Sequence, residues 1–84
     1  MEIFVLIEQS SGEERLSLDN VAVFTSFEMA SKALKESHDN IITDIMDYGD
    51  ITQDELDTDY YSIILEENDF ETIYEGHVKI LEVN

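Results

Sequence analysis

The chain has 84 residues and a formal net charge of −17, because 21 Asp and Glu residues stand against only 4 Lys and Arg residues. The absence of cysteine excludes disulfide bonds and thiolate metal sites. The shortage of Lys and Arg argues against direct binding to nucleic acid or to an anionic membrane surface.

The length predicts one acidic domain over residues 1–84. Hydrophobic residues make up 43% of the chain, which is typical of a folded core and not of a disordered acidic tail. The sequence shows neither the pattern of a signal peptide nor an apolar run long enough to span a membrane. We therefore expect a cytoplasmic protein.

The first two predicted elements are strands. Residues 2–8 form a short apolar run rich in strand-forming residues, and a cluster of turn residues around Gly12 follows. Residues 16–24 form the second strand, whose apolar positions change phase at Asp19 and Asn20, as expected for a β-bulge. Together the two strands predict a hairpin.

Helical signals begin after the hairpin. Thr25 is the predicted N-cap, Glu28 completes a capping box, and Phe24 with Met29 forms a hydrophobic staple. This helix is predicted to end near His38, whose charge is favourable at a helix C-terminus.

A second helix is predicted to start at Asp39 or Asn40 and to end before Gly49. Its apolar arc consists of Ile41, Ile42, Ile45, Met46 and Tyr48. Residues 50–59 fit either a short helical turn that starts at Thr52 or an extended acidic loop.

The last third of the chain returns to strands, predicted at residues 60–65, 70–74 and 77–83, with turns at residues 66–69 and near Gly76. The resulting order is β-β-α-α-β-β-β. It predicts an α+β fold with an antiparallel or mixed sheet of four or five strands and one or two helices on one face.

Part of the chain resembles small uncharacterised phage and bacterial proteins. The matching segments are IFVL at residues 3–6, VAVFTSFEMA at residues 21–30, and YSIILE at residues 61–66. This resemblance is concentrated in the first 36 residues and implies a β-β-α-β frame without an active site. It does not extend to residues 39–59.

The acidic residues are the main functional signal, since residues 36–78 contain fourteen Asp and Glu and no Lys or Arg. Carboxylates three or four residues apart on a helix have Cβ atoms about 5–6 Å apart, a separation comparable to that of successive phosphates. The pattern favours a nucleic-acid mimic. The candidate partner-binding residues are Asp44, Asp47, Asp50, Asp54, Glu55, Asp57 and Asp59.

In size, charge and lack of a catalytic motif the chain is similar to acidic inhibitors of the anti-CRISPR and anti-restriction type. That similarity implies competition for the basic groove of a host nuclease or defence complex, with attraction acting at long range. Two alternatives stay open at this level. The chain is either an interaction module whose acidity serves only solubility, or a protein that responds weakly to divalent cations through Asp50, Thr52, Asp54 and Asp57.

The sequence carries no signal of catalysis or of a bound cofactor. His38 and His77 are isolated, and the three glycines are too far apart for a phosphate-binding loop. An EF-hand starting at Asp50 fails, because its sixth and twelfth positions hold Glu55 and Tyr61. We expect neither a dedicated metal site nor an enzyme. A homodimer paired through an exposed edge strand is a further alternative, although like charge opposes such pairing except along an apolar strip of the edge.

Overall fold

The computed structural model describes residues 1–12 and 15–84. The elements are β1 (Glu2–Gly12), β2 (Arg15–Phe24), α1 (Phe27–Ile45), β3 (Asp50–Leu56), β4 (Tyr60–Glu67) and β5 (Phe70–Glu82). The five strands form one antiparallel sheet in the order β2-β1-β5-β4-β3. The helix packs on one face of this sheet, so the α+β class is confirmed and the chain order is β-β-α-β-β-β.

The two predicted helices are one continuous helix. The buried residues of α1 are Ala30, Leu34, His38 and Ile45, and Ile41 and Ile42 also pack against the core. Their spacing keeps a single apolar stripe in phase through residues 38–41, where no Gly or Pro interrupts the helix. Asp39 therefore caps no second helix, and the predicted end near His38 is wrong.

The N-cap of α1 is Ser26, one residue after the predicted position. Its hydroxyl accepts a hydrogen bond from the Met29 backbone N–H at 3.2 Å. Thr25 and Ser26 are adjacent, and the hydroxyl of either residue can accept the capping hydrogen bond. The sequence therefore locates the start of the helix only to within one residue.

The segment at residues 50–56 is strand β3, which corrects both the helical turn and the acidic loop. Its register with β4 shifts between Ile51 and Gln53, so an irregularity lies at Thr52. The capping pattern at Thr52 and Glu55 is overridden because pairing with β4 supplies this segment's hydrogen-bond partners.

The predicted strands at residues 70–74 and 77–83 are one long strand, β5, and Gly76 is not a turn. Gly76 lies under the aromatic ring of Tyr61, where an added Cβ would be 2.2 Å from the Tyr61 Cε2 atom. This glycine is needed for a close approach and not for a change of chain direction. The turn that does occur, between β4 and β5, uses Asn68 and Asp69, both with positive φ.

The hairpin of β1 and β2 is confirmed, as is the bulge in β2. Glu8 pairs with Asn20 and Gln9 pairs with Leu18, so Asp19 is the extra residue.

The core lies between α1 and the sheet. Its most completely buried side chains are Leu6, Leu34, Tyr61 and Ile63.

Candidate acidic interface

The seven carboxylates predicted from the sequence lie at one side of the molecule. Asp44 is in the last turn of α1 and Asp47 is in the turn that follows. The other five lie on edge strand β3 or in the loop that leads to β4. All are exposed. We name this set the acidic edge: Asp44, Asp47, Asp50, Asp54, Glu55, Asp57 and Asp59.

Asp54 differs from the other members, because its side chain faces the helix. One of its oxygens lies 2.5 Å from Nε2 of His38, and an oxygen of Asp39 lies 2.9 Å from Nδ1 of the same ring. Carboxylates accept hydrogen bonds, so both ring nitrogens must donate and His38 is a cation in this arrangement. Asp54 is therefore partly neutralised within the protein.

His38 is buried in the middle of α1 and not at a helix end. Burial by itself lowers the pKa of this imidazole, but the hydrogen bonds and charges of Asp54 and Asp39 outweigh burial and raise its pKa. Lys35 contacts Asp39 at 2.9 Å and, with His38, holds the pKa of Asp39 below its usual value. This cluster joins α1 to the β3 edge.

A second polar contact lies beside His38. The ring of Tyr61 packs edge-on against the His38 ring at a centroid distance of 6.1 Å, and its hydroxyl donates to Glu8 at 2.8 Å. Glu8 also accepts from the Asn20 side-chain amide at 2.7 Å. Burial, followed by the hydrogen bond and charge of Glu8, raises the pKa of Tyr61 far above its ordinary value. These interactions stabilise the fold, and none of them involves a carboxylate of the acidic edge.

Asp50 and two further carboxylates, Glu66 and Glu71, form a row across the sheet. Asp50 lies directly opposite Glu66, and Glu66 lies directly opposite Glu71. Neighbouring strands are about 4.8 Å apart, so the row repeats a negative charge at close to that interval. We name Asp50, Glu66 and Glu71 the carboxylate row. Among the side chains that the structure describes, none of the three has an ion-pair partner.

The candidate partner-binding residues predicted from the sequence did not include Glu66 or Glu71. Their alignment depends on the register of three strands, which no local pattern in the sequence specifies. The contact between buried His38 and Asp54 was also missed, because the two residues belong to elements predicted to end or begin elsewhere.

The residues considered for a cation site do not come together. Asp50 pairs with Glu66 on the sheet face away from the helix, whereas Asp54 points toward His38 on the covered face. In the described part of the chain, no group of three or more His, Cys, Asp or Glu side chains is arranged to hold a metal ion.

Two of the basic residues lie beside the acidic edge. An open groove of about 450 Å³ between α1 and the loop after β3 is lined by Ser31, Lys32, Lys35, Leu56, Asp57 and Thr58. Lys35 is engaged with Asp39. Lys32 and Lys35 therefore place positive charge next to Asp57 of the acidic edge.

Comparison with protein-family models, curated proteins and solved structures finds no match to this chain. The resemblance to small phage and bacterial proteins stays a prediction. No helix in residues 1–12 and 15–84 has both the length and the apolar character needed to span a membrane.

Proposed function

We propose that this protein acts by binding and not by catalysis, with its acidic edge and carboxylate row entering a basic groove that otherwise holds nucleic acid. The observation that carries the proposal is the carboxylate row, in which Asp50, Glu66 and Glu71 stand opposite one another without compensating cations among the described side chains. Like charges directly opposite in a sheet are destabilising, so their presence favours a role outside folding.

The spacing of the row supports this proposal. Adjacent carboxylates about 4.8 Å apart can meet Lys and Arg side chains that are arranged to contact successive phosphates. The strands also hold these charges in place before binding, which limits the conformational entropy lost in the complex. A solvated tail of the same charge would lack this advantage.

The partner class follows from the charge. A surface of this sign attracts a basic nucleic-acid-binding protein at long range and competes with nucleic acid for the same contacts. The proposed partner is a nuclease or defence complex in the cytoplasm, which is the host cytoplasm if the protein is phage-encoded. The proposed activity is of the anti-CRISPR or anti-restriction type.

The test is capture of partners from a host lysate with three proteins: the wild type, the double variant Glu66→Lys/Glu71→Lys, and a matched control. The control is Glu2→Lys/Glu36→Lys, which makes the same change in net charge at exposed positions outside the acidic edge and carboxylate row. We expect the wild type and the control to retain a nucleic-acid-binding protein that competing DNA or moderate salt releases. The Glu66/Glu71 variant should lose it.

Two results would contradict the proposal. Capture of only neutral or acidic proteins would exclude a basic groove as the target. Equal capture by all three proteins would instead support the alternative in which acidity serves only solubility, and reversal of Asp44, Asp47 and Asp54 to Lys should then also leave binding intact.

A further inference from the structure

Strand β3 is attached to the rest of the molecule by few contacts. It lies at the edge of the sheet, where it pairs with β4 on one side, and its register is irregular at Thr52. Ile51 is the residue of this strand that packs against the core, whereas Leu56 at its end is 40% exposed beside the open groove along α1. Because it buries so little apolar surface, β3 is a segment that can open while the rest of the fold stays intact.

One contact of β3 reaches the helix. The side chains of Thr52, Gln53 and Glu55 form hydrogen bonds with residues of β4. The side chain of Asp54 instead contacts Nε2 of His38 on α1, at 2.5 Å. His38 is only 7% exposed, so this contact extends from the interior of the protein to the edge of the sheet. The pair of Asp54 and His38 therefore fixes the edge strand against the helix.

The strength of this attachment depends on a proton on His38. The ring lies between two carboxylates, with Asp39 at Nδ1 and Asp54 at Nε2. A protonated imidazole donates a hydrogen bond to both, whereas a neutral imidazole has one N–H and presents a lone pair to the second carboxylate. Hydrogen bonds from a charged donor are also roughly twice as strong as neutral ones. Loss of the proton therefore removes one bond and weakens the other.

The groups around this proton come from the helix and from the sheet. On α1 they are Asp39 and, through its ion pair with Asp39, Lys35. The titratable groups of the sheet in this region are Asp54 on β3, Tyr61 on β4, Tyr74 on β5, Glu8 on β1 and Asp19 on β2. Burial lowers the pKa of His38, but the hydrogen bonds and charges of Asp54 and Asp39 raise it above its ordinary value. These two carboxylates therefore hold the proton.

We propose that the proton on His38 is a switch that attaches β3 to α1: the protonated ring fixes the edge strand, and loss of the proton lets β3 open while the other four strands keep their pairing. Those strands stay in place because the core beneath α1, which includes Leu6, Leu34 and Ile63, does not depend on the charge of the ring. The attachment is complete below pH 6.5 and weakens as the pH rises through the raised pKa of His38 in the folded protein.

Opening of β3 changes the acidic surface. Asp50 leaves its position opposite Glu66 in the carboxylate row, and Asp54 loses its fixed contact with His38. Glu66 and Glu71 remain opposite each other, because they lie on β4 and β5. The proton on His38 therefore controls how many carboxylates of the row are aligned. This property belongs to the isolated chain, so it holds whether or not a basic partner binds.

The experiment is amide hydrogen exchange of the whole chain near pH 6 and near pH 9. Rates are expressed as protection factors, because the intrinsic rate of exchange itself rises with pH. Three proteins are compared: the wild type, His38→Gln, and the matched control His77→Gln, which removes the other imidazole at a position on β5 opposite Ile7. The amides of β1 and β5 report on global unfolding, and those of β3 report on local opening.

In the wild type and in His77→Gln, we expect the protection factors of β3 to fall by about tenfold between the two pH values, as for the loss of one hydrogen bond. Those of β1 and β5 should stay unchanged. His38→Gln carries an uncharged amide at every pH, so β3 should have the low protection factor in both conditions. If this variant does not fold, Asp54→Asn makes the same test from the β3 side, with the exposed position Asp44→Asn as its control.

The inference is overturned if the protection factors of β3 in the wild type are the same at both pH values. A fall that is equally large in His38→Gln would also overturn it, since another group would then be responsible. If β3, β1 and β5 lose protection together, His38 stabilises the whole fold and is not a switch for one strand. The midpoint of the fall must also coincide with the pKa of the His38 ring in an NMR titration.

Discussion

The hydroxyl of Tyr61 on β4 donates a hydrogen bond to Glu8 on β1 across the intervening strand β5, where Gly76 lies beneath the Tyr61 ring. The two atoms are 2.8 Å apart, and Glu8 is only 6% exposed. A buried carboxylate is costly unless it is hydrogen-bonded, so Tyr61 and Asn20 make its position tolerable. This one hydrogen bond therefore links β4 to β1 across the strand that lies between them.

Substitution of Gly76 by Ala should destabilise the fold. The new methyl group would lie 2.2 Å from the Tyr61 Cε2 atom and would push the ring off Glu8. We expect a loss of about 1–3 kcal/mol in the free energy of unfolding, measured by urea denaturation. Gly12→Ala is the control, because its nearest contact is 3.1 Å. Equal effects of the two substitutions would show that the approach of Tyr61 is not the cause.

Removal of the Tyr61 hydroxyl should be costly, whereas removal of the neighbouring Tyr60 hydroxyl should not. Tyr61→Phe leaves buried Glu8 with only Asn20 as donor, and we expect a loss of about 1–3 kcal/mol. Tyr60 is 40% exposed and reaches Glu55 only at 3.4 Å, so Tyr60→Phe should lie within about 0.5 kcal/mol of the wild type. Urea denaturation of both variants checks the difference, and a stable Tyr61→Phe protein would contradict it.

The contribution of His38 to stability should fall as the pH rises. Its pKa in the folded protein is raised above the ordinary value of 6.5. Contacts made by the protonated ring therefore stabilise fully below pH 6.5 and are lost as the pH passes through the folded-state pKa. The wild type should exceed His38→Gln by about 1–3 kcal/mol near pH 6, with a smaller difference near pH 9.

Two measurements check this behaviour. Urea denaturation of the wild type, His38→Gln and His77→Gln at several pH values gives the stability differences, and His77→Gln serves as the control away from the Asp54 contact. NMR titration of the His38 ring should give a pKa above 6.5. A difference that is constant with pH would mean that His38 stabilises the fold by packing alone.

Reversal of charge in the carboxylate row should stabilise the protein. Glu66 lies opposite both Asp50 and Glu71, so Glu66→Lys replaces two repulsive pairs with attractive ones. We expect a gain of about 0.2–1 kcal/mol at low salt that diminishes as salt is added. Glu75→Lys, exposed on the same strand as Glu71 but opposite the uncharged Gln9 and Ser62, is the control for net charge alone. An equal gain from both would show that the alignment of the row has no particular cost.

Local patterns predicted the hairpin of β1 and β2, the bulge at Asp19 and the strand at Tyr60. They depend on alternation and turn residues within short segments, which act before distant parts of the chain meet. Two of the errors occur at Thr52, where pairing with β4 overrides a capping pattern, and at Gly76, which resembles a turn residue but lies under an aromatic ring. Both outcomes depend on partners far along the chain.

The sequence by itself determined the α+β class, the net charge and the exposure of the acidic edge, because composition and periodicity decide which side chains can be buried. Only the tertiary structure decided that Asp54 contacts His38, that Asp50, Glu66 and Glu71 align, and that Leu16, Leu18, Val21 and Val23 of β2 share one face. The physical reason is strand register: a shift of one residue moves every side chain of a strand to the other face. Register in this sheet is set by the pairing of whole strands, of which β1 with β5 joins the two ends of the chain, and not by the pattern within any one strand.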